Sequence, residues 1–431
     1  MDTNEKIKIV GTNIQEKANL IWNVANSLFG AYKPHEYGLV ILPMVVIKRF
    51  HDCLLPTREK VLATYEKVKQ LAVKDGFLRT ASGYRFYNTS QYTFERLKAD
   101  PENIKTNFEA YINGFSDNVI DILANMGFFT QIERMADAGV LYQVISDFTA
   151  DNADMNPEKI SAIDMGYVFE NLVQRFSESY DEEAGAHFTS RDIIYLMCDL
   201  LTMNADFSGE DAPAKTVYVM AMGTSQMLSC MEERIHELNE DIEVTCFGQE
   251  FNPSTFAIAK ADMMIRGGDP NNMRFGDTLS DDQFKGFTFK YCISNPPFGI
   301  DWKREQKAVE AEAKLGELGR FAPGLPKISD GQQLFVLNGL SKLAPDGRMA
   351  IIQNGSPLFS GDAGSGPSNI RQYILENDWL DAIIQLSTDQ FMNTGISTYI
   401  WILSKDKPAY RAGKVQLIDA SHCYEQRRKS I

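Results

Sequence analysis

The segment Tyr291-Cys292-Ile293-Ser294-Asn295-Pro296-Pro297-Phe298 decides how the rest of the chain is read. Its first four residues read as a strand buried inside a sheet. The last four fall where that strand ends, and in an open α/β sheet ligands bind outside the carboxyl ends of the strands. The Asn295 side-chain oxygen and the Pro296 carbonyl can both accept hydrogen bonds from one NH2 group. The fixed φ of Pro296 and Pro297 holds those acceptors still, and Phe298 offers a ring for stacking. Accepting both N–H bonds keeps the nitrogen lone pair clear of ring conjugation, so the nitrogen becomes a nucleophile. That suits methylation of an exocyclic amine. For a bare Pro-Pro pair a plain turn is the better reading, so the neighbourhood carries the argument.

Outward from this segment, apolar strands alternate with amphipathic helices. Strands are expected at 216–222, 242–248, 289–294, 348–353, 380–386 and 398–403, with helices at 226–238, 253–265, 332–343 and 368–376. The alternation predicts a doubly wound parallel sheet with helices on both faces. A short loop around Asn393-Thr394-Gly395 predicts an antiparallel hairpin at one edge. Residues 1–155 read instead as a helical domain. Ile14, Ala18, Ile21, Ala25 and Leu28 share a helical face ahead of Gly30, and the apolar run 39–47 reads as a buried helix interrupted or started by Pro43. Two domains, 1–155 and 156–431, are therefore expected.

Composition narrows the function. The 431 residues carry 58 acidic and 43 basic side chains, a net charge of −15. A protein that alone grips a nucleic-acid backbone usually carries a basic face, so a nucleic-acid substrate implies a partner that supplies much of the grip. No apolar run reaches the roughly 18 residues that a membrane span needs, and the amino terminus lacks the apolar core of a signal peptide. The six cysteines are scattered without a CxxC pair, which argues for a reducing cytoplasmic setting and against a structural zinc site.

Four further stretches carry chemistry. Ala221-Met222-Gly223-Thr224-Ser225-Gln226 turns from a strand into a helix, where Gly223 allows close backbone approach and the helix terminus offers N–H groups to a carboxylate. The next strand ends in Gly248-Gln249-Glu250, placing a carboxylate where one takes ribose hydroxyls in nucleotide folds. Gly276-Asp277-Thr278 can set Asp277 on an adenine amino group, and His187-Phe188-Thr189-Ser190-Arg191 precedes an amphipathic helix with Thr189 or Ser190 as N-cap. Each is also compatible with an ordinary turn or strand end; it is their order that reinforces them.

In that order the chain resembles the modification subunit of type I restriction-modification systems, which are adenine-N6 DNA methyltransferases. The resemblance runs through residues 165–170, 183–190, 248–253, 276–278, 294–299, 330–332, 352–356 and 393–397, and takes in 32–38 of the helical half. It implies an α/β, Rossmann-like S-adenosylmethionine-dependent methyltransferase sheet preceded by an α-helical N-terminal domain. It implies cofactor contacts from His187, Phe188, Thr189, Gly223, Thr224, Ser225, Glu250, Asp277 and Asn295, catalysis by Asn295, Pro296, Pro297 and Phe298, and no metal. The partners implied are a specificity subunit, a second modification subunit, a restriction subunit and double-stranded DNA with a flipped adenine. Three positions depart from the pattern: Val219 stands where a carboxylate is usual, Ser225 where a second glycine is common, and Lys290 where an acidic residue often stands. Val219 and Ser225 leave open a catalytically impaired scaffold subunit, and because protein-glutamine methyltransferases share the tetrapeptide clamp, that activity is the other alternative. The insertion 300–330, with Lys303, Arg304, Lys307, Lys314, Arg320 and Lys327, reads as a mobile loop near the target base or as a solvated surface insertion.

Overall fold

The computed structural model describes residue 20, residues 23–161, 164–166, 168–169, 172, 189–203, 205, 207, 214–388, 390–391 and 395–424. Packing divides the chain into two compact units, Met1–Ala184 with Pro253–Asn271, and Gly185–Asn252 with Asn272–Ile431.

The second unit is built on an eight-stranded sheet in the order β3-β2-β1-β4-β5-β7-β6-β8. β1 (Lys215–Val219) runs parallel to β2 (Val244–Glu250) on one side and to β4 (Phe289–Ser294) on the other. β5 (Leu343–Asn354) continues the parallel run, and β7 (Thr398–Ser404) enters antiparallel between β5 and β6 (Leu380–Gln385). The anticipated strands are all present. Two more, β3 (Met273–Phe275) and β8 (Gln416–Asp419), have three and four residues, too few to show a period. β8 corrects one expectation: it pairs with β6, so the β6–β7 hairpin is antiparallel but does not form the sheet edge. Of the predicted hairpin loop, Asn393 and Thr394 lie outside the described residues.

The core against one sheet face joins Tyr218, Met220, Cys292, Met349, Ile351, Trp401 and Leu403 to the helices Gln332–Ser341 and Gly366–Glu376. The helices Arg191–Thr202 and Gln226–Leu238 also pack on this sheet and on each other. The 300–330 insertion is not a mobile loop. It folds into the helix Gln306–Ala313 and buries Trp302, Val309 and Phe321 in the same core. Trp302 closes its base, donating from Nε1 to the Lys327 carbonyl at 2.9 Å and from its backbone to Ile328 at 3.0 Å.

The first unit is helical. Its central helix, Gly38–Leu54, buries every residue except Leu39 and carries Pro43 inside it, as expected of a helix apolar on all sides. The Tyr32–Gly38 stretch has a structural purpose here. Glu36 takes a two-bond grip from Arg134 at 2.8 and 2.9 Å, which holds its carboxyl down at about 2, and the guanidinium lies 4.0 Å over the Tyr32 ring. Of the predicted first helical face, Ile14, Ala18 and Ile21 lie outside the described residues, while Ala25 and Leu28 are buried.

This unit extends past residue 155 for a physical reason. Asp52 accepts the Met155 backbone N–H at 2.8 Å, and Arg49 donates to the Met155 carbonyl. Lys48 neutralises Asp52 four residues away on the same helix, at 2.5 Å. Beyond the clamp, Ile160, Met165, Val168, Phe169 and Leu172 enter the helical core. So do Ala257, Ile258, Ala261 and Met264 of the helix Pro253–Ile265, which in sequence stands between β2 and β3.

Candidate active site

Every described residue of the expected site lies in the sheet unit; all but Thr189, which precedes a helix, follow the end of a strand or close it. β4 ends at Ser294 and Asn295 follows it. Thr189, buried just ahead of the helix Arg191–Thr202, accepts a 2.9 Å hydrogen bond at its Oγ1 from Asn295 Nδ2. With the NH2 arm turned to Thr189, the Asn295 carbonyl arm takes the other direction, and its oxygen is buried. Pro296 is buried and Pro297 half-buried. Phe298 is only 5% exposed and meets Phe391 edge-to-face at 6.4 Å between ring centres, so its ring is packed in the protein in this structure. His187 and Phe188 lie outside the described residues.

The turn after β1 is shaped by two residues with positive φ, Gly223 at 53° and Ser225 at 74°. A side chain in that region costs roughly 1–2 kcal/mol, so the serine stands where glycine fits best. It directly precedes the helix Gln226–Leu238. Among the described residues, chain neighbours aside, no heavy atom lies within 4 Å of where a Cβ on Gly223 would stand. β1 itself ends at Val219, which is buried.

Glu250 ends β2, and its carboxylate closes the site floor. Oε2 accepts the Gly223 N–H at 2.8 Å, while Oε1 accepts the backbone N–H groups of Phe251 and Asn252 at 3.1 and 2.9 Å. Asp277, just beyond β3, turns Oδ1 to the backbone N–H groups of Leu279 and Ser280 at 3.0 and 2.7 Å. The turn after β1, Glu250 and Asp277 are tied together by residues that sequence reading passed over. Buried Gln249 donates to the carbonyls of Gly276 and Asp281 at 3.1 and 2.8 Å, and its own backbone carbonyl accepts from Met222 at 3.0 Å. Thr278 Oγ1 donates to the Met220 carbonyl. A polar residue inside a strand that must be buried was the available signal for Gln249.

Two sequence motifs that are far apart also meet. Gln332 donates to Asp330 and to Asn354 Oδ1, the latter at 2.7 Å, and accepts the Asn354 N–H at 3.0 Å, at the end of β5. Lys290 is different: it opens β4, five residues before Asn295, and pairs with Asp346 at 2.7 Å. That departure is a strand-start ion pair and belongs to the end of β4 opposite the site.

Residues 161–431 match the N-6 DNA methylase family model, and residues 17–148 match the HsdM N-terminal domain. The MjaIX type I restriction enzyme methylase subunit of Methanocaldococcus jannaschii is 24% identical over 96% of this chain and 74% of its own length. The HindI methylase subunit of Haemophilus influenzae is 28% identical over 63% of this chain and 58% of its own. Among solved structures, the type I restriction-modification methyltransferase subunit from Streptococcus thermophilus superposes with a TM-score of 0.74 at 23% identity, covering 96% of this chain and 89% of that one. The fold, an eight-stranded mixed sheet with a helical amino-terminal unit, is thus one that a methyltransferase subunit adopts. Taken with the amide fixed at the end of β4 and the carboxylates beyond β2 and β3, the match over residues 161–431 places this chain in the N-6 DNA methylase family.

Proposed function

We propose that the chain transfers a methyl group from S-adenosylmethionine to adenine N6 in DNA, as the modification subunit of a type I restriction-modification complex. The observation that carries this reading is the 2.9 Å bond from Asn295 Nδ2 to Thr189 at the carboxyl end of β4. It turns the amide so that Oδ1, with the Pro296 carbonyl, can accept both N–H bonds of one amine. Drawing both N–H bonds toward these two acceptors favours a pyramidal nitrogen, whose lone pair leaves ring conjugation and points outward. As the N–C bond forms, the methyl–sulfur bond would break with its electron pair passing to sulfur, which would leave as a neutral thioether; the amine becomes cationic, the two acceptors stabilise it, and it then loses a proton to solvent. No covalent enzyme adduct is needed; positioning does the catalysis.

The residues present suit the nucleoside half of the cofactor. Glu250, held by the backbone N–H groups of Gly223, Phe251 and Asn252, would take the ribose hydroxyls, Asp277 would take the adenine amino group, and among the described residues nothing crowds the space over Gly223. The amino-terminal end of the helix Gln226–Leu238, with Thr224 and Ser225, would hold the methionine carboxylate. When bound, S-adenosylmethionine supplies a methyl group on a sulfonium. Reading of the DNA sequence falls to a specificity subunit, in keeping with the net charge of −15; a second modification subunit and a restriction subunit complete the complex. Adenine must leave the duplex stack to reach Asn295.

The test is transfer of labelled methyl to duplex DNA by the chain assembled with a specificity subunit. Asn295→Ala is expected to abolish transfer while leaving folding and assembly intact. A second reading, a scaffold subunit without transfer, is favoured by Val219 and by the strained Ser225. It requires Asn295→Ala to leave every activity of the complex unchanged.

A further inference from the structure

The 300–330 insertion reaches the site through one side chain. Arg320 uses all five of its N–H donors. Nε and Nη2 grip Glu312 at 2.8 and 2.6 Å, Nη1 reaches the Thr278 carbonyl at 2.7 Å and Asn338 Oδ1 at 2.9 Å, and Nη2 also reaches the Leu279 carbonyl at 3.1 Å. Its side chain is 8% exposed. Three separate elements therefore converge on one guanidinium: the insertion helix Gln306–Ala313 through Glu312, the helix Gln332–Ser341 through Asn338, and the loop that begins at Asp277.

That loop is fixed from both sides. Thr278 ties it to the Met220 carbonyl just beyond β1, and Asp277 Oδ1 caps the N–H groups of Leu279 and Ser280. Arg320 supplies the remaining grip, on the carbonyls of Thr278 and Leu279. A guanidinium that served only to fill the core would not need two carbonyls of a loop whose first residue faces the cofactor.

We propose that Arg320 is a positioning residue that sets the Asp277–Leu279 loop for the cofactor's adenine, which makes the insertion a working part of the cofactor site. The proposal rests on the reading of Asp277 as the adenine contact. A planar fork with five donors is required, because a lysine ammonium has three donors without that geometry.

The experiment compares the full chain with Arg320→Ala and Arg320→Lys by hydrogen exchange, thermal unfolding and calorimetric titration with S-adenosylmethionine. Exchange at the Leu279 and Ser280 amides should speed up by about tenfold or more in Arg320→Ala, while amides of β1 and β5 keep their protection. Cofactor affinity should fall by about tenfold, with Arg320→Lys intermediate in both readouts. Unchanged exchange at Leu279 and Ser280 overturns the proposal. So does acceleration spread evenly over the sheet, which marks a purely structural arginine, and so does a loosened loop with unchanged affinity. Asp277→Asn separates the two ideas: if it leaves affinity unchanged, the adenine reading fails, and local loosening in Arg320→Ala alone then upholds or removes the loop-setting role. If the unaltered chain takes up no cofactor, the same exchange comparison decides that role by itself.

Discussion

At Asn295 the NH2 arm of the amide meets the Thr189 hydroxyl, which leaves the carbonyl arm turned the other way; an amide turned over would present NH2 where an acceptor is needed. Thr189→Val keeps the shape and removes the acceptor. Methyl transfer to DNA should then fall by about 10- to 100-fold, matching 1–3 kcal/mol for a lost buried hydrogen bond, and Thr189→Ser should restore most of it. A labelled-methyl assay across the three proteins checks this, and loss of transfer in the serine variant would remove the assignment. Ser225, at φ 74°, allows a test of opposite sign. Ser225→Gly should raise stability by about 1 kcal/mol or leave it level, the relieved strain offsetting glycine's greater chain entropy, and should tighten S-adenosylmethionine binding in a calorimetric titration. At this scale the sequence was informative where chemistry is local. Asn295, Glu250 and Asp277 could be named from their places after strands. Gln249 and Thr278 stood in the same motifs without a role, and Arg320 only among the insertion's charges, because the backbone carbonyls they reach are set by folding and carry no residue signature.

Among the elements, the helix Gly38–Leu54 carries a concentration of buried charge, in Lys48, Arg49 and Asp52. Removing one partner of a buried pair costs about 3–5 kcal/mol because the other charge is left stranded. Asp52→Ala should therefore destabilise the helical unit by that order, seen as a lower urea midpoint for its unfolding. Next along the helix, His51 is buried, with Nδ1 3.0 Å from the Tyr111 hydroxyl. Burial, aided by Lys48 and Arg58 and opposed by Glu95, pushes its imidazole from 6.5 down to about 3. The unfolded chain thus binds the extra proton across that interval, and stability should drop as pH falls from about 6.5 toward 3. His51→Asn should flatten that acid slope in pH-dependent urea unfolding; an unchanged slope would assign it to other groups. The sequence showed this helix plainly because it is apolar over most of its length. It showed the insertion poorly, since charges on the helix Gln306–Ala313 hide the three buried anchors Trp302, Val309 and Phe321, which are spaced too widely to form a pattern.

Across the whole molecule, linear order and packing part company. The change of texture near residue 155 was legible as helices giving way to strands. The allegiance of the helix Pro253–Ile265 was not, because its composition suits a crossover helix equally well. A fragment of residues 156–431 would keep that helix but lose its core partners, leaving Ala257, Ile258, Ala261 and Met264 uncovered. It should aggregate, or bind a hydrophobic dye far more than the full chain does. Between the described units the chain crosses three times, at 184/185, 252/253 and 271/272. Glu250 lies two residues before Asn252, the last residue ahead of one crossing, and Asp277 five residues after Asn272, the first residue beyond another. Grafting a helical half from one relative onto the catalytic half of another is therefore a two-piece transplant: a donor gene that contributes its first third alone arrives without its own inner helix, and must accommodate a stranger's.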